Sequence, residues 1–132
     1  MRHVFECAVR FDDLDSYGHV NNVTFAEYLQ EARIDFAHRY LADALGPHEA
    51  AVVAHQAIDY VRPVAFRTEP LQVELWVSRV GSSSYDISYD VRDGATVYAR
   101  ATGTLVAFDR ATSRPRLLTP GEHAALAKFL EP

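Results

Sequence analysis

Residues 11–22 read FDDLDSYGHVNN and place three carboxylates, Asp12, Asp13 and Asp15, within four positions, followed by Gly18, His19, Asn21 and Asn22. The next segment, VTFAEYLQEARIDFAHRY, has the spacing of a helix. The first N–H groups of a helix have no partner inside it, so these carboxylates stand beside ready hydrogen-bond donors. Amides at Asn22 and Val23 would favour a carbonyl oxygen that turns negative during attack. A nearby aspartate, ionised at neutral pH, can attack that carbonyl or take a proton from a water that does. So weak a base suffices only where the leaving group needs little protonation. A thiolate is such a group, and thioester hydrolysis therefore fits one aspartate plus a helix dipole better than peptide or ester cleavage does. The plain alternative is that aspartates between a strand and a helix form turns or caps. His19 can equally be a packing or surface residue, and Tyr17 a loop anchor.

Other chemistries find less support. Asp13, Asp15 and Gly18 match positions 1, 3 and 6 of a calcium-binding EF-hand loop, but Tyr17 and Thr24 stand where ligands are required. The six histidines show no metal-binding spacing, so no metal site is expected. There is no GxSxG elbow, no phosphate loop and no GxGxxG. Cys7 lies on the apolar side of an alternating segment, where a thiol is usually inert.

The elements that must position the acidic stretch follow from periodicity. Residues 3–11 alternate, with Phe5, Cys7, Val9 and Phe11 on one side and Glu6 and Arg10 on the other, as in a half-buried strand. From residue 23 the period becomes helical. Phe25, Leu29, Ala32, Phe36 and Tyr40 share one face, widened by Ala26, Tyr28 and Ala37, and the helix should end near Leu45, before Gly46-Pro47. Asn21 or Asn22 caps its start, with capping the expected role of the Asn22 side chain; Thr24 with Glu27 is a competing capping box. Strands are expected over 51–61, 71–80, the cleanly alternating SYDISYDVR, and ATVYARATGTLVAFD, the last two joined by a turn at Asp93-Gly94. Thr119, Pro120 and Glu122 open a short closing helix.

The order β-α-β-β-β-β-α describes one α+β domain, residues 1–132, with a largely antiparallel sheet curled over one long helix. Such a sheet leaves edges to be covered, so a homodimer or larger even-numbered assembly is expected. A net charge of −5 argues against nucleic-acid or anionic-membrane partners. No apolar run is long enough to span a membrane, and Glu6 and Arg10 interrupt the place of a signal-peptide core. With a single cysteine, these features point to a reducing cytoplasm.

The combination Asp15-x-x-Gly18-His19-Val20-Asn21-Asn22, then Tyr28 and the EAR of residues 31–33, resembles the 4-hydroxybenzoyl-CoA thioesterase family of the hot-dog fold, in its acyl-CoA thioesterase branch. DYVRPV at 59–64 looks like that family's second-strand ending, and the element order agrees from about residue 3 to residue 130. The resemblance implies a hot-dog fold, a dimer or tetramer, active sites at subunit interfaces, and no cofactor beyond coenzyme A as part of the substrate. It puts the catalytic aspartate on Asp15 and the oxyanion amides on Asn22 and Val23. Tyr17, Gly18, His19 and Asn21 would shape the pocket mouth. Some family members carry a basic cluster in the turn between the third and fourth strands. Here that turn is Gly81–Ser84, so Ser82 and Ser83, with Arg62 or Arg67, are left to meet phosphates. An acyl carrier protein is thus an alternative to CoA as the carrier. A hydratase or dehydratase using Asp15 and His19, and a non-catalytic acyl-binding protein, are the remaining readings.

Overall fold

The computed structural model describes residues 1–132. Strand β1 (His3–Cys7) leads through a 3₁₀ turn (Phe11–Asp13) into helix α1 (Asn22–Tyr40). A second 3₁₀ turn (Ala42–Ala44) precedes β2 (Glu49–Tyr60), β3 (Leu71–Val80), β4 (Ser84–Asp93) and β5 (Thr96–Asp109). The two-residue strand β6 (Arg114–Pro115) and helix α2 (Pro120–Ala127) close the chain. Strand β6 has no counterpart in the order read from sequence, because two residues are too few to show a period.

The sheet runs β1-β3-β4-β5-β2 with every neighbour antiparallel. Alternation directs Leu71, Val73, Leu75 and Val77 of β3 and Tyr85, Ile87, Tyr89 and Val91 of β4 into the core. There they join Phe25, Tyr28, Leu29, Ala32 and Phe36 from α1 in one cluster of 25 buried residues. Register shifts at Val53/His55, Val77/Arg79 and Val91/Arg92 mark bulges, which bend strands and favour a sheet curled around a helix. The mixed α+β architecture thus has a curled antiparallel sheet and two helices. The long helix of this chain is not apolar enough to cross a membrane.

Several boundaries differ from the pattern-based reading, β2 among them, which runs Glu49–Tyr60 rather than 51–61. Strand β1 stops at Cys7, and Phe11, expected on its apolar side, is 78% exposed. The Asp13 carboxylate folds back to accept the N–H of Arg10, and that local bond turns the chain out of the sheet. The regular part of α1 ends at Tyr40, where Leu41 is buried as its C-cap. The β4–β5 turn is Gly94–Ala95 rather than Asp93-Gly94. Asp93 still pairs with Thr96, and Gly94 supplies the positive φ of 55°.

Candidate active site

Residues 14–20 form a small hairpin between the 3₁₀ turn and α1, bridged at Leu14↔Val20. Inside it the N–H of Asp15 donates to the carbonyl of His19 at 2.7 Å, and the N–H of Gly18 to the carbonyl of Asp15 at 3.1 Å. Gly18 has φ +80°, a conformation that glycine adopts without penalty, and this lets so short a hairpin close. Oδ1 of Asp15 accepts the N–H of Tyr17 at 2.8 Å and that of His19 at 3.2 Å. The local turn-forming role anticipated for an aspartate here is therefore filled by one oxygen. Its other oxygen, Oδ2, has no protein partner, and the side chain is half-buried at the wall of a cleft.

The cleft has a volume of ≈ 310 Å³ and is lined by Asp15, His19, Asn22, Phe25, Tyr60 and Arg62, among others. At the head of α1 the N-cap is Asn21, whose Oδ1 accepts the N–H of Val23 at 3.0 Å. Capping thus falls to Asn21 and not to the Asn22 side chain, because Asn21 is the last extended residue and Asn22 is already helical. The amides of Thr24 and Phe25 turn to the carbonyl of Asn21. Of the first-turn donors, the N–H of Asn22 is the one without a partner, and the Asn22 residue lines the same cleft as Asp15. Val23 instead lines a separate groove beside β2.

Two aromatic residues complete the cleft. The Tyr60 hydroxyl donates to the carbonyl of Asn22 at 3.0 Å, and its ring meets Phe25 edge-on at 5.5 Å. Sequence reasoning missed Tyr60, and only the DYVRPV segment drew attention to this strand end; Phe25, expected in the core, is buried there and also lines the cleft. Tyr17 is 85% exposed, and neither it nor Gly18 nor Asn21 lines the cleft. Arg62 lines it and has no carboxylate partner, whereas Arg67 is held by Asp93 at 2.8 Å. Ser82 and Ser83 lie at the far end of β3 from the Asp15 hairpin. Cys7, which precedes the hairpin, pairs with Leu71 at the opposite end of that ten-residue strand. One chain does not bring them together.

Below the hairpin lies a carboxylate of another kind. Asp13 is 2% exposed and accepts hydrogen bonds from the Tyr28 hydroxyl and from Arg10. Burial pushes its pKa up, but the bonds from Tyr28 and Arg10 outweigh that effect and hold it below the usual carboxylate value. Burial, with the charges of Asp13 and Glu31, pushes the Cys7 thiol up to about 12, so it carries no nucleophilic thiolate at neutral pH. A larger depression of ≈ 610 Å³ runs along β1, but its Asp35 is already bonded to His3 and Arg39.

A half-buried aspartate with one unbonded carboxylate oxygen, lining the same cleft as a helix residue whose N–H is unpaired, has the groups that attack on a carbonyl needs. The sequence profile of the thioesterase-like superfamily matches residues 9–128. The chain belongs to the thioesterase-like superfamily. It is 28% identical over 126 residues to the 1,4-dihydroxy-2-naphthoyl-CoA hydrolase of Nostoc punctiforme, with 92% of this chain and 84% of that protein covered. It is 38% identical over 82 residues to the uncharacterized protein YsmA of Bacillus subtilis; that match spans 62% of this chain and only 55% of the relative. Among solved structures, a thioesterase from Thermus thermophilus complexed with coenzyme A and Zn superposes with a TM-score of 0.82 at 31% identity. That alignment covers 96% of this chain and 92% of the other.

Proposed function

We propose that this superfamily member is an acyl-CoA thioesterase of the 4-hydroxybenzoyl-CoA thioesterase type, hydrolysing an acyl thioester to free acid and CoA. The observation that carries the reading is that Asp15, whose Oδ2 has no protein partner, and Asn22, whose N–H has none, line the same cleft. The thioester carbonyl sits with its oxygen on that amide. Asp15 either attacks the carbonyl carbon or removes a proton from the attacking water, and the CoA thiolate leaves as the carbonyl re-forms. Attack by Asp15 itself forms an anhydride that water then hydrolyses. The Val23 amide can add to the oxyanion site only where the Asn21 side chain gives it up. His19 and Arg62 border the entrance. Similarity to a CoA-bound thioesterase and to a CoA-ester hydrolase supports CoA as the carrier, with an acyl carrier protein as the alternative.

The reading includes a homodimer formed through β2. This twelve-residue strand is the sheet edge beyond β5 and is exposed along most of its length, with Val52 and Val53 more than two-fifths exposed. A bare edge of this length is a template for pairing. Two-fold antiparallel pairing of β2 reverses the second chain. The end of the partner that carries Gly81–Ser84, which bonds to β5 through Ala107 opposite Ala51, then lies at the Asp15 end of the first chain. In such a dimer Ser82 and Ser83 of the partner subunit face the carrier's phosphates, which the single chain does not permit.

The test is thiol release over short, long, branched and aromatic acyl-CoAs and an acyl carrier protein thioester, with wild type and Asp15→Asn run together. Wild type should release thiol from at least one substrate, and Asp15→Asn should be slower by ~10²–10⁴-fold. Normal turnover in a folded Asp15→Ala variant defeats the assignment. Loss of an enoyl thioester without thiol release would instead mark a hydratase, and tight binding with no hydrolysis an acyl-binding protein.

A further inference from the structure

Asp13 takes no part in the chemistry just described and does not line the cleft, yet its carboxylate, two residues before Asp15, accepts four hydrogen bonds. Its Oδ2 accepts the Tyr28 hydroxyl at 2.7 Å and the main-chain N–H of Arg10 at 2.9 Å. Its Oδ1 accepts Nε and Nη2 of Arg10 at 3.2 and 3.0 Å. Its own carbonyl accepts the N–H of Asn21 at 2.9 Å. Asp13 and Asn21 therefore close the base of the hairpin that carries Asp15, since they flank residues 14–20 on either side. Tyr28 is buried on α1, six residues beyond Asn22, or about 9 Å along the axis. One residue thus ties the hairpin bearing the carboxylate to the helix bearing the free amide.

Apolar side chains would hold a loop against a helix without the cost of burying a charge. What they would not supply is direction. Bonds to both carboxylate oxygens, together with the carbonyl bond to Asn21, define where the hairpin base stands relative to the first turn of α1. The separation of Asp15 from the Asn22 amide is the quantity that a two-centre attack depends on.

We infer that Asp13 and Tyr28 form a clamp that positions Asp15 against the head of α1, both being positioning residues that act through Asp15. The inference rests on the thioesterase reading for its kinetic consequence but not for its structural one. Tyr28→Phe removes one hydroxyl and almost no volume. With the best substrate of the thiol-release screen, kcat should fall ~10–100-fold, the scale of a misplacement of about 1 Å, while KM changes little. In an Asp15→Asn background the same substitution should cause no further loss, because the group it positions is already gone. Amide exchange of Tyr17 and His19, whose N–H groups are held by Asp15, should quicken in Tyr28→Phe, a readout independent of activity. Asp13→Asn, which keeps the shape and an acceptor, should move all three readouts the same way; where it does not fold, Tyr28→Phe decides. Unchanged kcat and exchange in folded Tyr28→Phe, or an equal loss of rate in both backgrounds, overturns the clamp. Full turnover by Asp15→Asn alone overturns the thioesterase reading instead, and the exchange measurement then still reports on the clamp.

Discussion

At Asp13 the cost of burying a carboxylate is opposed by the hydroxyl of Tyr28 and by the main chain and guanidinium of Arg10, and the balance favours the ionised form. That balance has a consequence for stability. A carboxyl held below its ordinary value of 3.8 in the folded protein contributes fully above that value, and its contribution is lost as the pH falls through the lower, native value. Urea unfolding of wild type and Asp13→Asn should therefore show the widest gap in stability above about pH 5, narrowing steadily with acid. A gap that stays constant down to acid unfolding would mean that the charge of Asp13 is not what the Tyr28 and Arg10 bonds stabilise. Asp15, two residues on, commits one oxygen to local amides and leaves the other unbonded in a residue that lines the cleft, so its removal should affect turnover far more than folding.

The closing helix α2 illustrates the same logic at the scale of elements. Glu122 is 1% exposed and satisfies three needs together. It completes the capping box with Thr119, it accepts Nη1 of Arg116 at 2.6 Å, and it accepts Nη2 at 3.2 Å. Arg116 in turn donates to the carbonyls of Ala50 in β2 and Phe108 in β5. The pair thus fastens α2 to the sheet through the short β6 segment. Removing one member of a buried pair leaves the other charge uncompensated, so Glu122→Ala should lower the unfolding free energy by ~3–5 kcal/mol. Denaturant titration measures this, and limited proteolysis should show earlier cleavage in the C-terminal segment. A loss within the range of a surface ion pair, ~0–1 kcal/mol, would mean that α2 is held by Leu126 and Phe129 alone.

The whole molecule presents a bare sheet edge at β2, together with exposed Val23 and Ile34 on α1. A chain that leaves twelve residues of edge strand unpaired is expected to cover them with a second copy. Light scattering should give twice the chain mass of 14.8 kDa, or four times, at micromolar concentration. Val53→Lys, which places a charge in the middle of the proposed seam, should shift the population towards monomer and reduce turnover with it. A wild-type monomer of full activity would remove the second subunit from the site.

Local pattern was enough for much of this architecture. The alternation in β3 to β5, the helical stripe of α1 and the Thr119 cap are properties of neighbouring residues, and periodicity reports neighbours. The sequence likewise drew attention to the Asp15–Asn22 stretch, because it sets carboxylates beside the unpaired amides of a helix start. What periodicity cannot carry is which side chains a long-range contact consumes. That Asp13 is buried under Tyr28 is decided by a bond spanning fifteen positions. That Tyr60 meets Asn22 is decided by one spanning thirty-eight, and that Val23 has lost its amide to Asn21 depends on the exact residue at which the helix begins. Residue type and spacing thus determined which groups were available for chemistry. Only the tertiary structure decided which of them stayed free to do it, because a donor or acceptor already satisfied within the fold is no longer available to a substrate.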